Sequence, residues 1–302
     1  MIDRRSFLAS AAAAAAFAAA CARPLPGDAA SPPGRRDETA SDQFEAIRGT
    51  LGAGGRIGVA AIDTGSGRRL VHDADSRYAM ASTFKLPLAA FALAEIEAGR
   101  LRLDQELPFA PEDPLSNSPI VEANLARRSL PVERLAASIV ERSDNSAANA
   151  LLRRLGGPAA LTRFLRASGD AVTRLDRMEL ALNSNLPGDP RDTTSPAAMA
   201  ATTQRLVLGD RLSAASRARL AAWMTNSVPG PDRLRAGLPA DWRWGHKTGT
   251  GARGSVNDVG IAWPPGRAPI VIACYQDGGT VPTAVHAAAH AAVARVVVET
   301  FA

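Results

Sequence analysis

Ser82 and Lys85 are separated by the three-residue step that places two side chains on one face of a helix. A serine hydroxyl is a weak nucleophile until a neighbouring base takes its proton. A lysine that is partly removed from water loses basicity and can share in that work, and a helix N-terminus stabilises the negative charge that develops nearby. The pair therefore indicates acyl transfer through a serine ester, although a Ser-x-x-Lys spacing alone also arises by chance.

Lysine is almost absent from this chain. Of the 35 basic residues only Lys85 and Lys247 are lysine, and all the others are arginine. Arginine cannot lose its proton in a protein, so a chain needs lysine wherever a tunable, compact ammonium is required. Two interpretations stay open: the chemistry requires lysine at these two positions, or codon bias happened to spare them.

Two further clusters could complete a site around this pair. They are Ser143-Asp144-Asn145 and Lys247-Thr248-Gly249-Thr250. The first lies at a turn between two helical segments, where it could equally be an ordinary helix cap. The second lies on a strand candidate, where a glycine lets a ligand approach the backbone while lysine and threonine contact an anion.

Taken together and in this order, the three motifs resemble those of the serine β-lactamases and penicillin-binding proteins. The resemblance covers residues 41–302. The segments RMELALN (177–183) and GDPRDTT (188–194) are similar to the Ω-loop of class A β-lactamases, a compact functional loop type. The resemblance implies that Arg177 pairs with Asp192 to close this loop, and that Glu179 and Asn183 hold a water over Ser82.

The resemblance implies hydrolysis of the β-lactam ring of penicillins and cephalosporins without a metal or other cofactor, which gives antibiotic resistance. The catalytic residues would be Ser82, Lys85, Ser143 and Glu179, and the substrate-binding residues Asn145, Asn183, Arg233, Lys247, Thr248, Gly249 and Thr250. Whether Lys85 or Glu179 is the base in acylation stays open. Arg235 competes with Arg233 as the partner of the drug's carboxylate.

Two other functions share part of this motif set. A cell-wall transpeptidase or carboxypeptidase would share the three motifs but lack the loop with Glu179 and Asn183. A penicillin sensor that stays acylated would keep the serine and lysine but lose the deacylating carboxylate. The presence of Glu179 and Asn183 favours the hydrolase over both.

The pattern of the chain predicts an α+β fold of two lobes. Strand candidates at 57–63, 69–73, 242–248, 256–263 and 269–276 flank a long helical stretch, and a helix over 282–301 ends the chain. We expect an antiparallel sheet flanked by helices with an inserted all-α lobe. The catalytic domain would span 42–302, with an α/β lobe at 42–82 and 226–302 and a helical lobe at 83–225.

The N-terminal segment resembles a bacterial export signal that spans residues 1–21. Arg4 and Arg5 precede a 14-residue apolar run, too short to cross a bilayer, as in twin-arginine signals. Cys21 follows a run of alanines as in a lipoprotein cleavage box, so a lipid anchor and plain cleavage both stay open. Residues 22–41 have the composition of a flexible linker. We expect a periplasmic monomer.

Composition excludes several other classes of protein. The net charge of +5 is scattered and aromatic residues make up only 5% of the chain, so nucleic-acid binding is not expected. Two cysteines exclude a disulfide scaffold. His286 and His290 have the spacing of two metal ligands, but no third ligand is evident and a solvated or packed helix face is favoured. His246 precedes Lys247 and either faces the site, where its charge would lower the Lys247 pKa, or points outward.

Overall fold

The structure, a computed structural model, describes residues 35–109 and 115–301. The predicted export signal with Cys21, and residues 22–34 of the predicted linker, lie outside the described residues. The linker prediction extends to residue 41, whereas a helix begins at Arg35 inside that segment.

In chain order, the helices and strands are α1 (Arg35–Gly49), β1 (Arg56–Asp63), β2 (Arg69–His72), β3 (Tyr78–Ala79), α2 (Lys85–Glu97), β4 (Glu106–Pro108), α3 (Pro119–Glu122), β5 (Ser129–Pro131), α4 (Val132–Glu141), α5 (Asn145–Leu155), α6 (Gly157–Ala167), β6 (Thr193–Thr194), α7 (Pro196–Val207), α8 (Ala214–Thr225), β7 (Arg243–Thr250), β8 (Val256–Trp263), β9 (Ile270–Asp277) and α9 (Thr283–Phe301).

A five-stranded antiparallel sheet joins the two ends of the described sequence. Its order is β2-β1-β9-β8-β7, so a strand from the first part of the chain pairs with the last strand. Strand β7 forms one edge of the sheet. This sheet, with the helices that flank it, confirms the predicted α+β fold.

Alternate residues of the sheet strands enter two separate cores. On β1, Val59 and Ala61 join the core shared with α1 and α9, whereas Ala60 and Ile62 join the core that contains the other helices. Side chains of a strand alternate between its two faces, and here both faces are covered. The central strands are therefore almost continuously apolar, as the sequence of β1 already shows.

Helix α2 lies at the centre of the helical part of the fold. Its residues 85–93 are all buried, because α4, α5, α6, α7 and α8 contact it from several sides. A helix that is apolar all round is a buried helix. The start of α2, with Lys85 as its first residue, is thus held on all sides.

A buried polar bridge attaches α9 to the sheet. The amide of Gln276 on β9 contacts His286 Nδ1 at 2.6 Å and His290 Nδ1 at 2.7 Å. Burial lowers the pKa of His290 to about 4. The two histidines thus form a packed helix face. In the described part of the chain, no group of three or more His, Cys, Asp or Glu side chains is placed to hold a metal.

Two other features of the described residues concern burial. Cys274 lies on β9 as a buried free thiol, and burial raises its pKa well above the ordinary value. Within residues 35–109 and 115–301, no helix is both long and apolar enough to cross a bilayer.

Candidate active site

Ser82 lies in a 3-10 turn, Ala81–Phe84, that leads directly into α2. The preceding residue, Ala81, has φ +44°. Two other non-glycine residues at the cleft, Asn117 and Ser143, also have positive φ, at +58° and +59°. Such conformations cost free energy and persist only where the surrounding structure imposes them, as at functional sites. The turn thus presents Ser82 from a constrained backbone at the start of a fixed helix.

Lys85 is fully buried and connects four parts of the site. Its Nζ lies 2.8 Å from Ser82 Oγ, 3.0 Å from the carbonyl oxygen of Ser143 and 2.9 Å from Glu179 Oε1. It also donates to Asn145 Oδ1. Burial lowers the pKa of Lys85, and the negative charge of Glu179 offsets part of that effect. The group beside the serine hydroxyl is therefore a less basic amine than a solvated lysine.

The Ser-Asp-Asn triplet serves two purposes at once. Asp144 is indeed the cap of α5: its Oδ1 accepts from Ala147 N at 2.8 Å. Ser143 and Asn145, on either side of the cap, line the cleft that contains Ser82. The cap interpretation is confirmed, and it is compatible with the site interpretation, because the capping aspartate fixes the turn that places its two neighbours at the cleft.

The Ω-loop, residues 177–192, is closed at its base by the pair that the sequence predicted. Arg177 Nε lies 2.5 Å from Asp192 Oδ2, and that carboxylate is fully buried. Asp192 Oδ1 accepts from the backbone N–H groups of Asp176 and Arg177. A buried carboxylate with a charged partner and backbone donors holds the two ends of the loop together.

Glu179 is held from two directions. Its Oε2 accepts from Asn183 Nδ2 at 2.7 Å, and its Oε1 forms the buried ion pair with Lys85. Its main chain is fixed by Asn149 of α5, which donates to the Glu179 carbonyl at 2.9 Å and accepts from its N–H at 3.0 Å. The Lys85 ammonium group therefore bridges the Glu179 carboxylate and the Ser82 hydroxyl.

Strand β7 lies against the serine turn through Gly249. A Cβ added to Gly249 would lie 2.7 Å from the carbonyl oxygen of Met80 and 3.2 Å from the N of Ser82. Only glycine permits this approach. Asn257 of β8 also donates to the Met80 carbonyl, at 3.1 Å. The edge of the sheet and the nucleophile are thus held at a fixed separation.

Arg233 fills the end of the cleft beside β7. Its Nη1 donates to the carbonyls of Gly249 at 2.9 Å and Asn257 at 2.7 Å, and its Nη2 donates to Thr250 Oγ1 at 2.7 Å. Arg235, in contrast, donates to backbone carbonyls of Pro239 and Ala240. The structure therefore assigns the place beside the strand to Arg233.

Lys247 and His246 point to opposite sides of β7. Lys247 Nζ donates to Ser143 Oγ at 3.1 Å. Burial lowers the pKa of Lys247 well below 10.5, and the charges of Lys85 and Arg233 lower it further. His246 is buried on the other side, with Nδ1 2.7 Å from Asp258 Oδ1. The hypothesis that His246 faces the site is therefore wrong, and the alternative, a strand residue that faces away from the site, is confirmed; the side chain is buried there against Asp258.

The predicted site residues come together around one cleft of about 310 Å³. Its walls are Ser82, Asn117, Ser143, Asn145, Asn183, Pro229, Arg233, Thr248 and Thr250. Sequence reasoning missed Asn149 and Asn257 and did not give Asn117 a role, although Asn117 donates to the Ser143 carbonyl at 2.9 Å. Only Asn149 had a usable signal, since it lies one helical turn after Asn145 on the same helix.

The chain is similar to known proteins over most of its length. The model of the β-lactamase enzyme family matches residues 40–301. Beta-lactamase AST-1 of Nocardia asteroides is 45% identical over 90% of this chain and 87% of its own, and beta-lactamase L2 of Stenotrophomonas maltophilia is 44% identical over 93% of each. A solved ancestral class A beta-lactamase is 50% identical with a TM-score of 0.83, covering 86% of this chain and 99% of its own.

Substitution of Lys247 by methionine tests the lowered lysine pKa. Between that lowered pKa and 10.5 the unfolded chain binds a proton that the folded chain does not, so the unfolding free energy rises with pH. Methionine removes this term. We therefore expect the unfolding free energy of the wild type, relative to Lys247→Met, to increase as the pH is raised toward about 10 in urea denaturation series. A difference that does not change with pH would contradict the assignment.

Proposed function

The chain belongs to the β-lactamase enzyme family, in class A, and we propose that it hydrolyses penicillins and cephalosporins through an ester on Ser82 that a water activated by Glu179 releases. One observation carries the proposal. Lys85 Nζ contacts Ser82 Oγ at 2.8 Å and Glu179 Oε1 at 2.9 Å, so a buried carboxylate lies next to the nucleophile. Release of the ester by water needs a base near the nucleophile, and the position of this carboxylate favours a hydrolase over a protein that stays acylated.

Acylation begins when Ser82 Oγ attacks the carbonyl carbon of the β-lactam ring. The hydroxyl proton passes to the Lys85–Glu179 pair, in which Lys85 is in direct contact with the oxygen. The lowered pKa of Lys85 supports this role, because it favours the neutral amine, the form that can accept the proton. The negative oxygen of the tetrahedral intermediate is received by the backbone N–H groups of Ser82 and Thr250, a contribution of about 3 kcal/mol per donor.

Ser143 returns a proton to the ring nitrogen as the C–N bond breaks. Its Oγ lies 3.1 Å from Lys247 Nζ and 3.4 Å from Lys85 Nζ, so it joins the two ammonium groups of the site. A proton can therefore reach the leaving nitrogen along this path. Asn145, on the same turn, orients the amide of the drug's side chain.

Deacylation requires a water near Glu179 and the ester. Asn183 uses its amide N–H to hold Glu179 Oε2, whereas its Oδ1 is buried without a hydrogen-bond partner among the described residues. Buried acceptors are normally satisfied, so this oxygen can accept a hydrogen bond from a water. Glu179 takes a proton from that water, and the hydroxide oxygen attacks the ester carbon. The C–O bond to Ser82 then breaks as the proton passes from Glu179 through Lys85 to Ser82 Oγ, which regenerates the free enzyme.

Cations dominate the end of the cleft that would bind the drug's carboxylate. Lys247, Thr248 and Thr250 lie on β7, and Arg233 donates to Thr250 Oγ1. Without a bound ligand, the pKa of Lys247 is lowered because the side chain is buried and because Lys85 and Arg233 carry positive charge nearby. A carboxylate that enters this region supplies the missing negative charge and restores the ammonium form.

We also propose export to the periplasm as a monomer, with Cys21 as a candidate lipid attachment site. The support is the sequence alone: Arg4 and Arg5 before an apolar run, and Cys21 after it. A serine hydrolase that destroys antibiotics acts where the drug enters.

Glu179→Gln tests the deacylation step. The amide keeps the shape of the side chain but cannot take a proton, so we expect deacylation to slow by about 10²–10⁴-fold while Ser82 still becomes acylated. Stopped-flow with a chromogenic cephalosporin should show sustained turnover for the wild type and one stoichiometric burst for the variant, with the ester visible by mass spectrometry. Ser82→Ala, as control, should form no ester. A wild type that gives only a single burst would indicate a drug-binding protein.

Arg233→Ala, with Arg235→Ala as its matched control, tests carboxylate binding. A charge-assisted hydrogen bond contributes about 1.5–3 kcal/mol, so we expect KM for a penicillin to rise about 10- to 100-fold in Arg233→Ala. Arg235→Ala should leave KM unchanged, because that side chain bonds only to the Pro239 and Ala240 carbonyls. Equal effects of the two substitutions would disprove the assignment.

Replacing Arg4 and Arg5 together by lysine tests the export signal. Arginine and lysine are not interchangeable in a motif read by its paired guanidinium groups, so the variant should stay in the cytoplasmic fraction. Cys21→Ala should move the exported protein from the membrane to the soluble fraction if Cys21 carries a lipid. Periplasmic activity of the double-lysine variant at the wild-type level would refute twin-arginine export.

A further inference from the structure

The second half of the Ω-loop has little apolar packing. A cavity of about 530 Å³ lies beside residues 185–190, which form part of its lining. Leu186, the large apolar side chain of this stretch, is 51% exposed. Since packing does not hold this half of the loop, its position depends on polar contacts.

Asn185 supplies contacts that join this half of the loop to other elements of the fold, whereas the Asp189–Arg191 pair lies within the loop. Its Nδ2 lies 2.7 Å from Asp277 Oδ1 at the end of β9, and 3.2 Å and 3.4 Å from the carbonyls of Ala252 and Arg253 in the β7–β8 turn. An amide nitrogen has only two hydrogens, so the three acceptors share them. Asn185 also has φ +43°, which asparagine tolerates better than most residues. One side chain thus attaches the loop to two other elements.

The acceptor on β9 is itself held in place. Asp277 Oδ2 pairs with Arg56 Nη1 at 3.4 Å, and Arg56 Nη2 pairs with Asp73 at 3.3 Å. The Asp277 side chain is 25% exposed, so solvent does not fully screen it. Hydrogen bonds to an ionised acceptor are stronger than neutral ones. The loop is therefore attached to a fixed point on the sheet.

Asn183 connects the contacts of Asn185 to the carboxylate of Glu179. Asn183, two positions before Asn185, accepts from Ala252 N at 2.9 Å through its carbonyl and holds Glu179 Oε2 through its amide. The same turn that receives Asn185 therefore receives Asn183. This turn directly follows Thr250, whose backbone N–H is proposed to bind the oxyanion. It therefore connects the oxyanion-binding part of the site to the part that holds Glu179.

We propose that Asn185 is a positioning residue for hydrolysis of the acyl-enzyme. Its bonds to Asp277 and the β7–β8 turn keep Asn183, and through it Glu179, in the geometry that deacylation needs. The inference rests on the proposed function. Ser82, Lys85 and Ser143 are carried by the turn that leads into α2, by α2 itself and by the α4–α5 turn, and the hydrogen bonds of Asn185 among the described residues go to other elements. Acylation, in which Lys85 contacts the hydroxyl directly, should therefore depend on Asn185 much less than deacylation, which needs Glu179 and Asn183 to hold the water.

Asn185→Gly removes the amide and keeps a residue that tolerates positive φ, so it separates the side chain from the backbone conformation. Misplacement of a catalytic group by about 1 Å can cost up to about 100-fold in rate, and we expect deacylation to slow about 10-fold here. When deacylation slows and acylation does not, kcat and KM fall together and kcat/KM stays constant. More acyl-enzyme should accumulate in stopped-flow and by mass spectrometry.

Two further variants serve as control and rescue. Leu186→Ala changes the adjacent exposed side chain and should keep wild-type kcat and KM. Asn185→Asp places a carboxylate against Asp277 and should slow deacylation at least as much as glycine does. The double variant Asn185→Asp/Asp277→Asn again pairs an amide donor with a carboxylate acceptor, with the donor now on β9. Part of the deacylation rate should therefore return.

The outcomes are distinguishable. A fall in kcat with unchanged KM in Asn185→Gly would mean only that less protein is folded, and it would overturn the proposal, as would wild-type values of both constants. Turnover by the wild type with no change in Asn185→Gly overturns this inference alone. A single burst from the wild type itself overturns the proposed function and this inference with it.

Discussion

A buried ammonium group must be paired, and the geometry of this site follows from that requirement at Lys85. Its Nζ is surrounded by the hydroxyl of Ser82, the carbonyl of Ser143, the amide oxygen of Asn145 and the carboxylate of Glu179. These groups come from the start of α2, the α4–α5 turn and the Ω-loop. Because an unpaired buried charge costs several kcal/mol, each of these elements is held to the others through one nitrogen.

The part of the site beside β7 contains more positive than negative charge. Lys247 and Arg233 are both buried beside β7, and Lys85 lies near enough to lower the Lys247 pKa. Asp258 is committed to His246 on the other face of the sheet, at 2.7 Å. A ligand that carries its own carboxylate would complete the charge balance of this part of the site, which supports the proposal that the drug binds here through its carboxylate.

Much of this could be predicted from the sequence. Strand β8 has the predicted bounds 256–263, and β7 and β9 differ from their predictions by one or two residues. The apolar run of β9 and the glycine- and proline-bearing turns between these strands give a clear signal. The strand pairs β3–β6 and β4–β5 were missed, since two or three residues show no periodicity. The motifs identified the charged groups of the site, and the predicted Arg177–Asp192 pair forms.

Among the asparagines that hold the site together, only Asn149 had a usable signal in the sequence, its position one helical turn after Asn145. Asn149, Asn185 and Asn257 act by donating to backbone carbonyls or to a distant side chain, and those acceptors are brought near only by the fold. An asparagine in a loop is also a common turn residue, so its type carries no information about such a role. The beginning of α1 inside the predicted linker was missed for a similar reason, because its composition is that of a flexible segment.

The reactivity of Cys274 reports how often the folded protein opens locally. The thiol is buried at the centre of β9, between β1 and β8, and its raised pKa keeps it as the unreactive thiol. A sulfhydryl reagent can reach it only when the sheet opens, so the labelling rate of this one cysteine measures how often the native state visits open conformations. A bound inhibitor that stabilises the closed form should slow that labelling in proportion to its occupancy.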